Sequence, residues 1–313
     1  MQLLGESTVG AEEIDSLGHM NVRYYMARME KANRILIDQL SEKATSSAAN
    51  VLLRRTDTYT RFRREQFKGA TLHTVGGVLA LKEGGMASYV EIRNPGRDEV
   101  AATFIVTTAR IDRNSREVLP FAPATDADPG LEYIDVPRYA QPRSLDMGPA
   151  KTDVTLADLE ACIPEIEGGG MMSGRRNALI EDADVDNEGW LSEDIELMFL
   201  PFAKLAQEQQ TTQGPPVFNT SEGLRVGWAV METRTQQYAQ PRLGDRLAYF
   251  SADLRLEQKS RLSRRWAYNR DTGQMLGMSD TVGVCIDLDA RRAIDWPDEL
   301  RETIEQHLQP QLA

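Results

Sequence analysis

The residues with the clearest chemical potential lie close together near the start of the chain: Asp15, His19 and Asn21. They supply a carboxylate, an imidazole and an amide just before a predicted helix. The first N–H groups of a helix have no partner inside it and favour negative charge. A carboxylate beside such donors suits attack on an acyl group, whose oxygen becomes negative in the transition state. The stretch therefore indicates acyl-group chemistry.

The helix that positions these residues is predicted over residues 22–40. Its apolar residues recur at spacings of three and four, which is typical of a helix with one face on a core. Asn21 is a suitable N-cap. A first strand is predicted at 1–10, and four strand-like segments follow the helix at 51–66, 70–82, 87–94 and 99–112.

This motif and this order of elements resemble the hotdog-fold acyl-CoA and acyl-carrier-protein thioesterases of the 4-hydroxybenzoyl-CoA thioesterase group, with their D-x-x-G-H-x-N signature. The resemblance implies an α+β fold in which an antiparallel sheet wraps around a long helix. It also implies hydrolysis of a thioester, with Asp15 as nucleophile or general base and with His19 and Asn21 orienting water or the thioester oxygen. A thiolate leaves readily, so a carboxylate and N–H donors can suffice without a Ser-His-Asp triad.

Substrate-binding residues are predicted in the first turn of the helix and in a basic group further along the chain. The backbone N–H groups of Val22, Arg23 and Tyr24 are candidate oxyanion donors. The side chains of Tyr24 and Tyr25 are predicted to be packing residues, with one of the two as a candidate to line the acyl pocket. Arg63 and Arg64 belong to a basic group that is suited to the phosphates of coenzyme A or to an acidic carrier protein. The alternative for each arginine is a solvated sheet face, and for Asp15 it is a turn residue.

The chain also contains an internal repeat. Three anchors match at one offset of 175 residues: Gly69 with Gly244, Thr58 and Thr60 with Thr233 and Thr235, and Ile111-Asp112 with Ile286-Asp287. A fixed offset indicates duplication. We therefore predict two tandem hotdog domains, 1–122 and 171–313, that pack as a pseudo-dimer. A linker at 123–170 is rich in Pro and Asp, with a short helix at 155–162.

The motif itself repeats at an offset of 171, but in altered form. Asp186 and Gly189 match Asp15 and Gly18, whereas Trp190 replaces His19 and Ser192 replaces Asn21. Pro201 is expected to kink or interrupt the second helix. The second copy is therefore predicted to keep the fold and to lose the site, which leaves one working site completed by the second half.

Composition limits the other functions. The net charge is −12, which argues against general nucleic-acid binding. The two cysteines are isolated and the three histidines lack the paired spacing of metal ligands, so no metal site is predicted. The sequence contains no glycine-rich phosphate-binding motif, and no cofactor is expected. The N-terminus lacks a signal-peptide pattern, no membrane span is predicted and the two cysteines suit a reducing compartment, so we expect a cytoplasmic protein. The resemblance implies an enzyme of fatty acid metabolism, and a homodimer of double-hotdog chains is a further expectation.

Two alternative functions stay open. One is an acyl-CoA hydratase or dehydratase, although hotdog hydratases place the histidine five residues after the aspartate, and His19 is four after Asp15. The other is a non-catalytic protein that binds acyl thioesters.

Overall fold

The computed structural model describes residues 1–40, 51–82, 85–114, 118–119, 133–148, 153–163, 174–192, 195–201, 204 and 217–313. It divides into two compact units, Met1–Arg143 and Ser144–Ala313. The predicted linker at 123–170 lies partly outside the described residues. Of its described residues, 133–143 belong to the first unit and 144–148 and 153–163 to the second. Within the described ranges, no helix is long and apolar enough to cross a membrane.

The first unit is a five-stranded antiparallel sheet with one long helix. Its elements are β1 (Gln2–Thr8), α1 (Val22–Asp38), β2 (Val51–Phe62), β3 (Thr71–Lys82), β4 (Gly85–Asn94), β5 (Glu99–Asp112) and the short β6 (Val118–Leu119). The strand order is β1-β3-β4-β5-β2, and β6 pairs with β5. The predicted first strand, helix and four following strands are confirmed, with small shifts at their ends.

The core of this unit lies between α1 and one face of the sheet. Alternate residues of β4 and β5 face the helix, as the two-residue period of a strand requires. The buried face of α1 and the sheet residues that it contacts form one apolar cluster, which includes Tyr25, Met29, Leu36, Val90, Ile92, Phe104 and Val106. Burying each large apolar side chain contributes roughly 1.5–3 kcal/mol. This packing holds the start of α1, and with it the motif, against the sheet.

The second unit contains a sheet of the same kind. Its elements are α2 (Leu156–Cys162), β7 (Gly174–Leu179), β8 (Phe218–Asn219), β9 (Arg225–Gln237), β10 (Arg246–Leu256), β11 (Ser260–Asn269), β12 (Met275–Asp287), β13 (Arg292–Ala293) and α3 (Asp298–Glu305). The strand order is β7-β10-β11-β12-β9, with β8 on β9 and β13 on β12. The predicted short linker helix is α2, with Thr155 as its N-cap.

The two sheets share one register at the offset of 175. Glu91 pairs with Thr103 in the first unit, and Trp266 pairs with Met278 at the same positions of the second. Three register shifts also recur at matching positions, in β2–β5 and β9–β12, in β3–β4 and β10–β11, and in β4–β5 and β11–β12. Shared bulges support the predicted duplication, because each is a specific local irregularity of a strand pair.

The units differ in what lies beside the sheet. The predicted second long helix falls largely outside the described residues, which show a 3-10 turn at Leu197–Phe199, so the expected effect of Pro201 stays a prediction. In the second unit α2 packs Leu159 on a separate apolar cluster with Phe250 and Trp266. The C-terminal helix α3 was not predicted from the sequence.

Candidate active site

Asp15 begins a tight turn that the backbone of the motif closes. Its Oδ1 accepts a hydrogen bond from the Leu17 N–H at 2.9 Å, and its carbonyl oxygen accepts one from the Gly18 N–H at 3.0 Å. The Asp15 N–H donates to the His19 carbonyl at 2.9 Å. Gly18 has φ of 81°, a left-handed conformation that glycine adopts without strain. The turn brings His19 back beside Asp15.

His19 lies between two carboxylates. Its Nδ1 is 3.7 Å from Asp15 Oδ2, and its Nε2 is 3.5 Å from Glu65 Oε1. The Asp15 side chain is only 4% exposed, the His19 side chain 17%, and the Glu65 side chain 36%. The imidazole therefore joins a buried carboxylate to one that solvent reaches.

Glu65 was not predicted from the sequence as a site residue. It lies just after β2, 46 residues beyond His19 in the chain, so no local spacing connects the two. One signal was present in the internal repeat. The residue at the offset of 175 is Gln240, so the copy that replaces the histidine also lacks this carboxylate.

The start of α1 supplies fewer open backbone donors than predicted. Asn21 is the N-cap, and its Oδ1 accepts a hydrogen bond from the Arg23 N–H at 3.1 Å. The Tyr24 N–H donates to the Asn21 carbonyl at 3.0 Å. Among the described residues the Val22 N–H makes no hydrogen bond, so it is the remaining candidate oxyanion donor.

The side chains of Arg23 and Tyr24 contact each other at the surface of the motif. Arg23 Nη2 donates to Tyr24 Oη at 2.7 Å, and the guanidinium lies 4.6 Å from the ring centroid. Tyr24 Oη in turn donates to the Glu12 carbonyl at 2.9 Å. These contacts hold the preceding loop against the first turn of α1.

Tyr25 is buried, and its hydroxyl bonds to the turn that carries Glu65. Tyr25 Oη donates to the Arg64 carbonyl at 3.2 Å and accepts from the Gln66 N–H at 3.1 Å. Burial raises the pKa of Tyr25 well above its usual value, against the lowering effect of the bond from Gln66. The hydroxyl therefore stays protonated and keeps its donor.

Arg63 and Arg64 have different surroundings. Arg63 Nη1 donates to the Tyr139 carbonyl at 3.0 Å, and its guanidinium lies 5.5 Å from the Tyr139 ring centroid. The Arg64 side chain is 68% exposed and lies 3.9 Å from Glu99. Both predicted phosphate-binding residues are exposed to solvent, and Arg63 also contacts Tyr139.

The second motif keeps the turn and changes the side chains. Asp186 accepts hydrogen bonds from the Glu188 N–H at 2.9 Å and from the Gly189 N–H at 2.9 Å, and Gly189 has φ of 77°. Trp190, which replaces the histidine, is 3% exposed, and Arg242 lies 4.0 Å from its ring centroid. The backbone of the motif is thus duplicated without its imidazole.

No group of three or more potential metal-ligating side chains occurs in the described part of the chain.

The first unit places one long helix against a five-stranded antiparallel sheet, and the Asp-x-x-Gly-His-x-Asn turn leads into that helix. Residues 9–128 match the sequence model of the thioesterase-like superfamily, so the resemblance predicted from the motif is confirmed for the first unit. No curated protein matches the chain by sequence.

Two solved structures show that the likeness in fold extends over most of the chain. One is an acyl-ACP thioesterase from Bacteroides thetaiotaomicron, which is 12% identical, with a TM-score of 0.58 over 89% of this chain and 96% of that one. The other is a 12:0-ACP thioesterase from Umbellularia californica, which is 9% identical, with a TM-score of 0.63 over 90% of this chain and 93% of that one. At such identities the likeness concerns the fold alone.

Proposed function

We propose that the chain hydrolyses an acyl thioester to a free acid and a thiol. The observation that carries this proposal is His19 held between Asp15 and Glu65 at the start of a helix. The match of the first unit to the thioesterase-like superfamily supports it.

In the proposed reaction Glu65 is the general base, because it is the more exposed of the two carboxylates. It takes a proton from water while the water oxygen attacks the thioester carbonyl carbon. The carbon–sulfur bond then breaks, and the leaving thiolate receives the proton that Glu65 took from water, either directly or by relay through the His19 imidazole. The sequence predicted Asp15 as nucleophile or general base, but its side chain is only 4% exposed, so we assign it instead to orienting the imidazole.

The negative oxygen of the intermediate needs a donor, and we assign the Val22 N–H to it. An oxyanion-hole donor is worth about 10²–10³-fold in rate in other enzymes. Asn21 stays a predicted site residue, because as N-cap it fixes the position of this N–H. We assign Arg64 to the phosphates of coenzyme A or to an acidic carrier protein, since its side chain is largely exposed.

The proposal extends to the substrate, the assembly and the location of the enzyme. The acyl-ACP thioesterases of similar fold suggest an acyl-carrier-protein or acyl-CoA substrate for this chain as well. We also propose that the two hotdog units form a pseudo-dimer with one working site, that two chains form a homodimer, and that the enzyme acts in the cytoplasm in fatty acid metabolism.

The test is release of free thiol from a panel of acyl-CoA and acyl-carrier-protein thioesters that differ in chain length and hydroxylation. We expect turnover with a clear optimum in acyl structure. Tight binding of the panel without thiol release would favour the binding-protein alternative. Loss or gain of water across an acyl double bond, without thiol release, would favour the hydratase.

A further inference from the structure

We infer that Tyr25 and Gln66 are positioning residues that hold Glu65 at the His19 imidazole. The inference rests on the proposed function, because it assigns these two residues to the same reaction. Neither is expected to touch the substrate. Both act on the turn Arg64-Glu65-Gln66, which follows β2.

The first contact is the hydroxyl of Tyr25. It bonds the backbone of both neighbours of Glu65, through the Arg64 carbonyl at 3.2 Å and the Gln66 N–H at 3.1 Å. Tyr25 lies in the first turn of α1, is 4% exposed, and packs edge-on against Phe62 with ring centroids 5.6 Å apart. A rigid, buried side chain thus fixes the backbone on either side of the proposed base.

The second set of contacts belongs to Gln66, which is fully buried. Its Oε1 accepts from Asn94 Nδ2 at 2.7 Å, and its Nε2 donates to Glu99 Oε1 at 3.0 Å. Its carbonyl oxygen accepts from the Met20 N–H at 2.7 Å, and Met20 follows His19 directly. Gln66 therefore joins the turn that carries the base to the turn that carries the imidazole.

The second unit provides an internal comparison. The Leu191 N–H donates to the carbonyl of Pro241 at 3.1 Å, which repeats the bond between Met20 and Gln66. Proline has no N–H and no side-chain amide, so the other bonds of Gln66 cannot form there. The residue before it is Gln240 in place of Glu65. The side-chain hydrogen bonds of Gln66 are therefore missing from the copy that also lacks the carboxylate.

Holding the turn Arg64-Glu65-Gln66 in place matters for the proposed reaction, because the side chain of Glu65 is partly exposed. A general base must lie within hydrogen-bonding reach of the proton that it takes. A displacement of about 1 Å can cost about 10²-fold in rate. Fixing the backbone on both sides limits such displacement without occupying the carboxylate.

The test is a double-mutant cycle with Tyr25→Phe and Glu65→Gln. Tyr25→Phe keeps the ring on Phe62 and removes both hydrogen bonds to the turn. We expect kcat for thiol release to fall about tenfold, the equivalent of one or two hydrogen bonds, with KM changed less than about twofold. In the Glu65→Gln background the same substitution should have no further effect on kcat, because its target is already lost.

The matched control is Tyr89→Phe, which removes a hydroxyl that is equally buried in the first unit but bonds Glu91 instead. It should leave kcat unchanged. Gln66→Met provides a second variant that retains the backbone bond from Met20, and it should lower kcat in the same Glu65-dependent way. Melting temperatures of all variants report any general loss of folding.

The inference is overturned if Tyr25→Phe keeps wild-type kcat, or if it lowers kcat by the same factor in the Glu65→Gln background. Full activity of Glu65→Gln would also overturn the inference. In that case, loss of activity in Asp15→Asn would still support the proposed thioesterase function. Absence of thiol release by the wild-type chain would instead overturn the proposed function.

Discussion

The reactive side chains of the candidate site depend on backbone hydrogen bonds for their positions. Asp15 is fixed by the N–H of Leu17, and His19 by the turn that returns it to Asp15. Because such local patterns are visible in the chain itself, the sequence predicted the helix and its N-cap, Asn21, correctly. Glu65 comes from a distant part of the chain, and only the fold brings it to the imidazole.

The role of Glu65 gives a prediction at this scale. Glu65→Gln keeps the size of the side chain and removes its charge and basicity. We expect kcat for thiol release to fall by about 10²–10⁴-fold, the usual contribution of a general base. Steady-state thiol release at saturating substrate measures it.

The control is a second pair of histidine and glutamate outside the site. His73 Nε2 lies 3.3 Å from Glu6 Oε1 at the surface of the first sheet. Glu6→Gln should leave thiol release unchanged. Equal activity of Glu65→Gln and the wild type would remove Glu65 from the mechanism.

At the scale of elements, α1 links the stability of the first unit to the geometry of the site. Its N-cap, Asn21, is a member of the motif, and its buried face carries Tyr25. The period of the apolar residues predicted this helix because local pattern and packing agree. The segment around Tyr139 was harder to predict, because its contacts with Arg61 and Arg63 join residues more than 70 positions apart.

The cap gives a prediction in free energy. Asn21→Ala should lower the free energy of unfolding of the first unit by about 1 kcal/mol, because the Arg23 N–H loses its acceptor. Asn21→Asp, which can still cap, should retain it. Urea denaturation measures the difference, and an Ala variant as stable as the wild type would contradict the assignment of the cap.

A second cap separates stability from activity. Thr155 caps α2 in the second unit, where its side chain accepts from the Asp158 N–H. Thr155→Ala should cost a similar amount of stability and leave thiol release unchanged. Asn21→Ala should also slow thiol release, because it moves the Val22 N–H.

At the scale of the whole molecule, the two units keep one sheet design and differ in their sites. Matching anchors at a fixed offset indicated this from sequence, since turn glycines and strand ends recur at the same spacing. The sequence did not indicate α3, which packs Ile304 on an apolar cluster with Cys285 and Trp296. That cluster joins residues from separate parts of the unit, so no local period reveals it.

The two aspartates of the repeated motif provide the most direct test of a single working site in the first unit. Asp15 and Asp186 begin the same turn, in which the side chain accepts a hydrogen bond from the N–H two residues on, and Asp186 also accepts one from the Trp190 N–H at 3.1 Å. Of the two aspartates, only Asp15 lies beside a histidine. Asp15→Asn and Asp186→Asn therefore remove equivalent charges from equivalent turns.

The measurement is thiol release by these two variants and the wild type on the best acyl thioester of the panel. Asp15→Asn should lose activity by about 10²-fold or more, because the imidazole loses its orienting carboxylate. Asp186→Asn should match the wild type. Full activity in Asp15→Asn, or loss of activity in Asp186→Asn, would contradict the account.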